Sequence, residues 1–202
     1  MIWKMIRIAT LVFIMVSAVW ASPVFGAQPI DALRGPVEQA IAILRDPQYK
    51  EPSRRAVQRE KIWELIRGVF DFTEISMRSL AQNWRNFTPQ ERKEFVDVFS
   101  EHLGNTYIEK IQGEYHDERV EFTGQEMLTD TKALVKTQIL RQGIEIPIDY
   151  SMRLRHDLWR VYDINVEGVS MVGNFRSQFA SFFAKKSNTP VQLIDKLKKK
   201  SK

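Results

Sequence analysis

The stretch Ile144-Glu145-Ile146-Pro147-Ile148-Asp149-Tyr150-Ser151-Met152-Arg153-Leu154-Arg155 decides the fold. Every even position is apolar, and every odd position is polar apart from Pro147. A period of two places the apolar set on one face, which predicts a β-strand with one buried and one wet side. Proline has no amide to donate, so Pro147 predicts an edge strand or a bulge. Residues 158–166 continue in strand composition after a turn near His156-Asp157. Residues 119–128 and 132–141 read as two earlier strands, with Gln142-Gly143 as a tight turn. The expectation is a meander of about four antiparallel strands.

On either side of this block the period lengthens to that of a helix. Ile30, Leu33, Val37, Ile41 and Leu44 recur at helical spacing until Asp46-Pro47 stops them. Pro52 opens a second segment with Ile62, Trp63, Ile66 and Val69 on its apolar stripe. Residues 72–83 read as a short helix. Thr88-Pro89-Gln90-Glu91 is a capping box, with proline at the first helical position, and it starts a long helix that Gly113 can end. After the strands, Val172, Phe175, Phe179, Phe182 and Phe183 return to helical spacing behind Ser170 as N-cap. Thr189-Pro190 opens a last helix. Helices first and strands later predict an α+β fold, with a curved antiparallel sheet and helices enclosing an apolar space in the manner of an NTF2-like cone.

The chain has 202 residues, a net charge of +5 and no cysteine. Its length suits a single domain. The missing cysteines exclude disulfide scaffolds, thiol nucleophiles and Cys-ligated zinc. The pI near 9.4 points to nucleic acid until the charge is located. Residues 1–27 carry Lys4 and Arg7 and no acid, and residues 195–202 carry five lysines against Asp195. That leaves 28–194 at −1. A body so close to neutral argues against nucleic acid as a partner.

Lys4 and Arg7 precede an apolar run from Ile8 to Trp20, followed by the small residues Ala21, Ser22, Gly26 and Ala27. The run is short for a membrane span and suits an export signal cut near Gly26 or Ala27. The expected organisation is a signal peptide over 1–27, one domain over 28–197 and a basic tail over 198–202. Export without cysteine fits a periplasm.

Catalytic signals are thin. His102, His116 and His156 stand at no metal-ligand spacing, so no metal is expected. Gly168-Val169-Ser170-Met171-Val172 lacks the last glycine of a nucleophile elbow, and every histidine precedes the serine. One enzyme reading survives, a carboxylate-based periplasmic enzyme of cone-like fold with Asp163 as base. Asp163 is expected to share a face with Trp159 and Val161.

Val69-Phe70-Asp71-Phe72, the segment from Leu80 to Trp84-Arg85, and Thr88 to Phe95 resemble the MlaC family of periplasmic lipid-shuttle proteins. Tyr107 and Ile148-Asp149-Tyr150 follow. The longest match is Trp159-Arg160-Val161-Tyr162-Asp163-Ile164, then Val166-Glu167-Gly168-Val169-Ser170, then Asn174-Phe175-Arg176-Ser177-Gln178-Phe179. The Lys-rich end lies outside this pattern. The resemblance implies a carrier that is not an enzyme and needs no cofactor, with phospholipid as cargo. It implies exchange with an inner-membrane ABC transporter bearing an MCE-domain ring and with an outer-membrane lipoprotein–porin complex. A relative associated with hopanoids leaves a hopanoid-type lipid as the alternative cargo. On this reading Ile146, Ile148, Tyr150, Val172, Phe175 and Phe179 line the lipid cavity, with Phe99, Leu103 and Tyr107 opposite. Arg176 either meets a phosphate at the mouth or forms a structural contact.

Overall fold

The computed structural model describes residues 28–200. The export signal read at 1–27 lies outside the described residues, as do Ser201 and Lys202. The chain forms α1 (Pro29–Arg45), α2 (Arg55–Val69), α3 (Phe72–Leu80) and α4 (Pro89–Glu114). Five strands follow: β1 (Arg119–Thr129), β2 (Lys132–Arg141), β3 (Ile144–Arg155), β4 (Leu158–Val166) and β5 (Val169–Ser170). The chain then ends in α5 (Met171–Phe183) and α6 (Pro190–Lys200). Among these residues no helix is long and apolar enough to cross a membrane.

The helix starts follow from their caps. Thr88 and Glu91 close the capping box in both directions: Glu91 N–H donates to Thr88 Oγ1 at 3.2 Å, and Thr88 N–H to Glu91 Oε2 at 2.8 Å. Asp71 accepts from Glu74 N–H at 2.9 Å to start α3. Ser170 Oγ accepts from Gly173 N–H at 2.8 Å to start α5. A side chain at 173 would place its Cβ 3.1 Å from that hydroxyl, so glycine here leaves room for the cap.

The strands pair antiparallel in chain order, β1-β2-β3-β4-β5. Two-residue turns join them at Gln142-Gly143, His156-Asp157 and Glu167-Gly168, with positive φ at both residues of each. These are the mirror-type turns that match strand twist. The expected meander of about four strands is extended by a fifth of only two residues. Two expectations need correction. Pro147 sits in the central strand β3, opposite Gln138. The β3–β4 ladder begins only at Ile148, so the missing amide falls at the ladder's end and removes no bond from it. The bulges fall elsewhere: at Thr123 and Leu128 of β1, and on β4, where Tyr162 is the extra residue between Val161 and Asp163.

Two packed bodies result. One is helical: Phe95, Phe99 and Leu103 of α4 meet Val172, Phe175 and Phe179 of α5 and Leu193, Ile194 and Leu197 of α6. The other joins α1 and Val69 to the sheet through Leu33, Val135, Met152, Trp159 and Val161. Beside them, α2 and α4 approach closely at Gly104, where a Cβ would stand 2.9 Å from the Trp63 ring. Trp63 is itself held against Phe72, ring centroids 5.3 Å apart. Gly104→Val therefore overpacks this crossing and lowers stability by about 1–3 kcal/mol. The denaturant midpoint measures it, and an unchanged midpoint refutes the close approach.

Candidate functional site

The register sorts the inward face of the sheet into rows. One row is Ala133, Met152 and Val161, all fully buried. The next is Gln125, Val135, Tyr150 and Ile164. Above it stand Phe122, Thr137, Ile148 and Val166, then Val120, Ile139 and Ile146. Burial fades along this series. Tyr150, Ile164, Ile148, Ile139 and Ile146 are half-buried, and Val166 is 40% exposed. The composition stays mostly apolar: the exceptions are Gln125, which accepts from Ile30 N–H and donates to Gln28, both at 2.9 Å, and Thr137, which is buried.

The Thr137 hydroxyl is accounted for. Thr137 Oγ1 donates to the Ile148 carbonyl at 3.2 Å, inside the sheet. Burial pushes the Tyr150 phenol above its ordinary range, and a hydrogen bond with Thr137 pulls the other way. Tyr150 is thus a neutral phenol at physiological pH, which suits an apolar surrounding.

The nine residues expected to line one cavity are not brought together. Ile146, Ile148 and Tyr150 lie on the open rows. Phe99, Leu103, Val172, Phe175 and Phe179 lie in the helical body. There the Phe99 ring meets Phe95, Phe175 and Phe179 at centroid distances of 5.3, 4.9 and 5.3 Å. Tyr107 is 39% exposed, one turn beyond Leu103 on α4.

The enzyme reading loses its geometry. The bulge at Tyr162 pairs Asp163 with Ser151, so Asp163 points away from the face of Trp159 and Val161. Its carboxylate accepts from Ser170 Oγ at 2.5 Å and Val172 N–H at 2.9 Å, which anchors the start of α5. Arg176 Nε donates to the Arg78 carbonyl at 3.0 Å, a structural contact between α5 and α3. Burial holds His102 below the ordinary imidazole range, with Lys200 adding to the effect. Its ring stands edge-on to Phe175 at 6.2 Å. No group of three or more potential metal ligands occurs among the described residues.

One charged cluster went unread in the sequence. Glu74 is buried, accepts from Arg78 Nε at 2.7 Å and pairs with Arg153 of β3. Arg78 in turn lies 4.2 Å from the Tyr162 ring centroid. These contacts tie α3 to the sheet across a separation that local periodicity does not register.

Comparison with known proteins gives two results. The family model described as MlaC protein matches residues 35–199. Among solved structures, the chain is similar to a phospholipid-binding protein from Ralstonia solanacearum, solved in complex with a phospholipid. The identity is 20% and the TM-score 0.73, with 87% of this chain and 97% of that chain covered. At that identity the likeness is one of fold. No curated protein matches the chain.

Proposed function

The chain belongs to the MlaC family, and from that premise we propose that it is a lipid carrier and not an enzyme. It holds phospholipid acyl chains against the open upper rows of its sheet. Ile146, Ile148 and Tyr150 form the wall, and Tyr107 faces the chains from α4. Phe99, Leu103, Val172, Phe175 and Phe179 form the rigid helical body behind the site. The observation that carries this reading is the run of apolar rows that continues past the point where burial ends. Apolar surface left half-open on a folded sheet marks a binding face. The solved relative of the same fold, with its bound phospholipid, supports the choice of ligand.

The energetics suit a shuttle. Burying one methylene is worth about 0.8 kcal/mol against water, and two acyl chains hold about thirty of them. Such a lipid does not cross water unaided at a useful rate. Against a bilayer the balance is near zero, because both environments are apolar. Loading and unloading are then possible without trapping. The family and the signal-like residues 1–27 support a periplasmic carrier. It would run between an inner-membrane MCE-type ABC transporter and an outer-membrane lipoprotein–porin complex.

Solvent extraction of the purified mature protein, followed by mass spectrometry, tests the proposal. The expected result is phospholipid at near one molecule per chain. Clean protein overturns the carrier reading, and a hopanoid as the main extract overturns the cargo.

A further inference from the structure

The charge of the chain is unevenly divided. Residues 185–202 carry seven lysines and one acid, Asp195, for a net +6. Residues 28–184 come to −3. The fold places six of those lysines at the α5–α6 turn and along α6. Lys185 and Lys186 follow α5, while Lys196, Lys198, Lys199 and Lys200 lie on α6, and all six are exposed. Packing forces this arrangement: Leu193, Ile194 and Leu197 seat the opposite side of α6 in the helical body, so the lysines face outward. Three of the six have local neighbours, Lys200 being close enough to His102 to act on it. Lys198 donates to Glu94 at 2.6 Å, and Lys196 stands 5.4 Å from the Phe182 ring centroid. Between α5 and α6 runs an open groove of about 620 Å³. Ser177, Gln178, Ser181 and Asn188 line it between Lys185 and Lys196; Ser177, Gln178 and Asn188 donate to Gly173, Asn174 and Phe182 within the protein, which leaves the two lysines as the groove's charged groups.

We propose that this α5–α6 corner docks the protein on an anionic phospholipid bilayer. A lysine ammonium is a compact point charge without the fork that fixes arginine to one partner geometry. Every basic residue of 185–202 is lysine. Protein–protein interfaces enrich arginine and deplete lysine, so this composition fits a diffuse field of headgroup phosphates better than an acidic protein. An anionic leaflet attracts several surface lysines at once. It also repels the −3 remainder of the chain, so the field turns the α5–α6 corner towards the membrane. The corner is separate from the open rows of the sheet, so docking does not require a loaded lipid site.

Flotation of residues 28–202 with vesicles tests this. Vesicles of phosphatidylglycerol and phosphatidylcholine are expected to bind the protein, with binding that falls steeply as salt rises. Vesicles of phosphatidylcholine alone are expected not to bind it. The variant Lys185→Gln, Lys186→Gln, Lys199→Gln, Lys200→Gln should bind anionic vesicles about tenfold more weakly or worse. Its thermal transition and extractable lipid should match the parent. A charge-matched variant, Lys50→Gln, Lys93→Gln, Lys110→Gln, Lys132→Gln, should keep binding. Equal loss in both variants would mean net charge alone and overturns the proposal. So does binding to both vesicle types, binding to neither, or lysine-dependent retention on an acidic protein with no vesicle binding. Lipid content is read separately, so failure of the carrier reading and failure of this one are distinguishable.

Discussion

Replacing Ile148 by glutamate leaves a folded protein that emerges from purification without phospholipid. Ile148 is half-buried in the row that runs from Phe122 through Thr137 to Val166. In the empty protein a carboxylate at that place can reach water, so the sheet tolerates it. In the loaded protein the same carboxylate must lie against hydrocarbon. Burying an unpaired charge costs several kcal/mol. Each 1.4 kcal/mol is tenfold in affinity, so retained lipid should fall by about a hundredfold or more. Val172→Glu makes the contrast. Val172 is 2% exposed in the helical body, and its N–H donates to Asp163. A glutamate there is buried next to an existing carboxylate, and the expected outcome is loss of the fold itself. Extracted lipid per folded chain and the thermal transition separate the two cases. An Ile148→Glu protein with normal lipid removes the upper rows from the site.

Much of this architecture is legible in the chain because it is local. The alternation over 144–155 yields β3 and its inward face, and Gln142-Gly143 and His156-Asp157 mark the turns. The Thr88 box marks the start of α4 with no tertiary information. What stays hidden is non-local or depends on one inserted residue. The bulge at Tyr162 leaves no trace in composition, yet it moves Asp163 to the other face and changes it from a catalytic candidate to an anchor for α5. The pairing of Glu74 with Arg153 joins residues nearly eighty positions apart, and no period links them. The site residues divide for a related reason. Helical spacing shows that Phe99, Leu103 and Tyr107 share a stripe, but not where along that stripe packing ends. In the structure it ends between Leu103 and Tyr107. The expected basic tail over 198–202 is likewise helical through Lys200, because Leu197 carries the apolar face of α6 into the last turn.

Phe99→Ala should be among the most damaging single truncations in the helical body. Phe99 is fully buried, and three rings stand around it: Phe95 stacked, Phe175 and Phe179 edge-on. These rings belong to α4 and α5, so they cannot close on the gap without moving two helices. A buried phenylalanine cut to alanine costs about 3–5 kcal/mol, with the cavity left behind as part of the cost. For a domain of this size each kcal/mol shifts the melting temperature by about 2–4 °C, so a fall of about 10 °C is expected. Tyr107→Ala, at an exposed position on the same helix, should shift it far less. The pair of variants tests the division of labour along α4. If Phe99 belongs to the frame, the surviving folded fraction of Phe99→Ala still carries lipid at the parental ratio. If Phe99 lines the lipid site, lipid falls while the melting temperature of the emptied protein stays put. Only the first outcome agrees with a ring packed on three sides by its own kind.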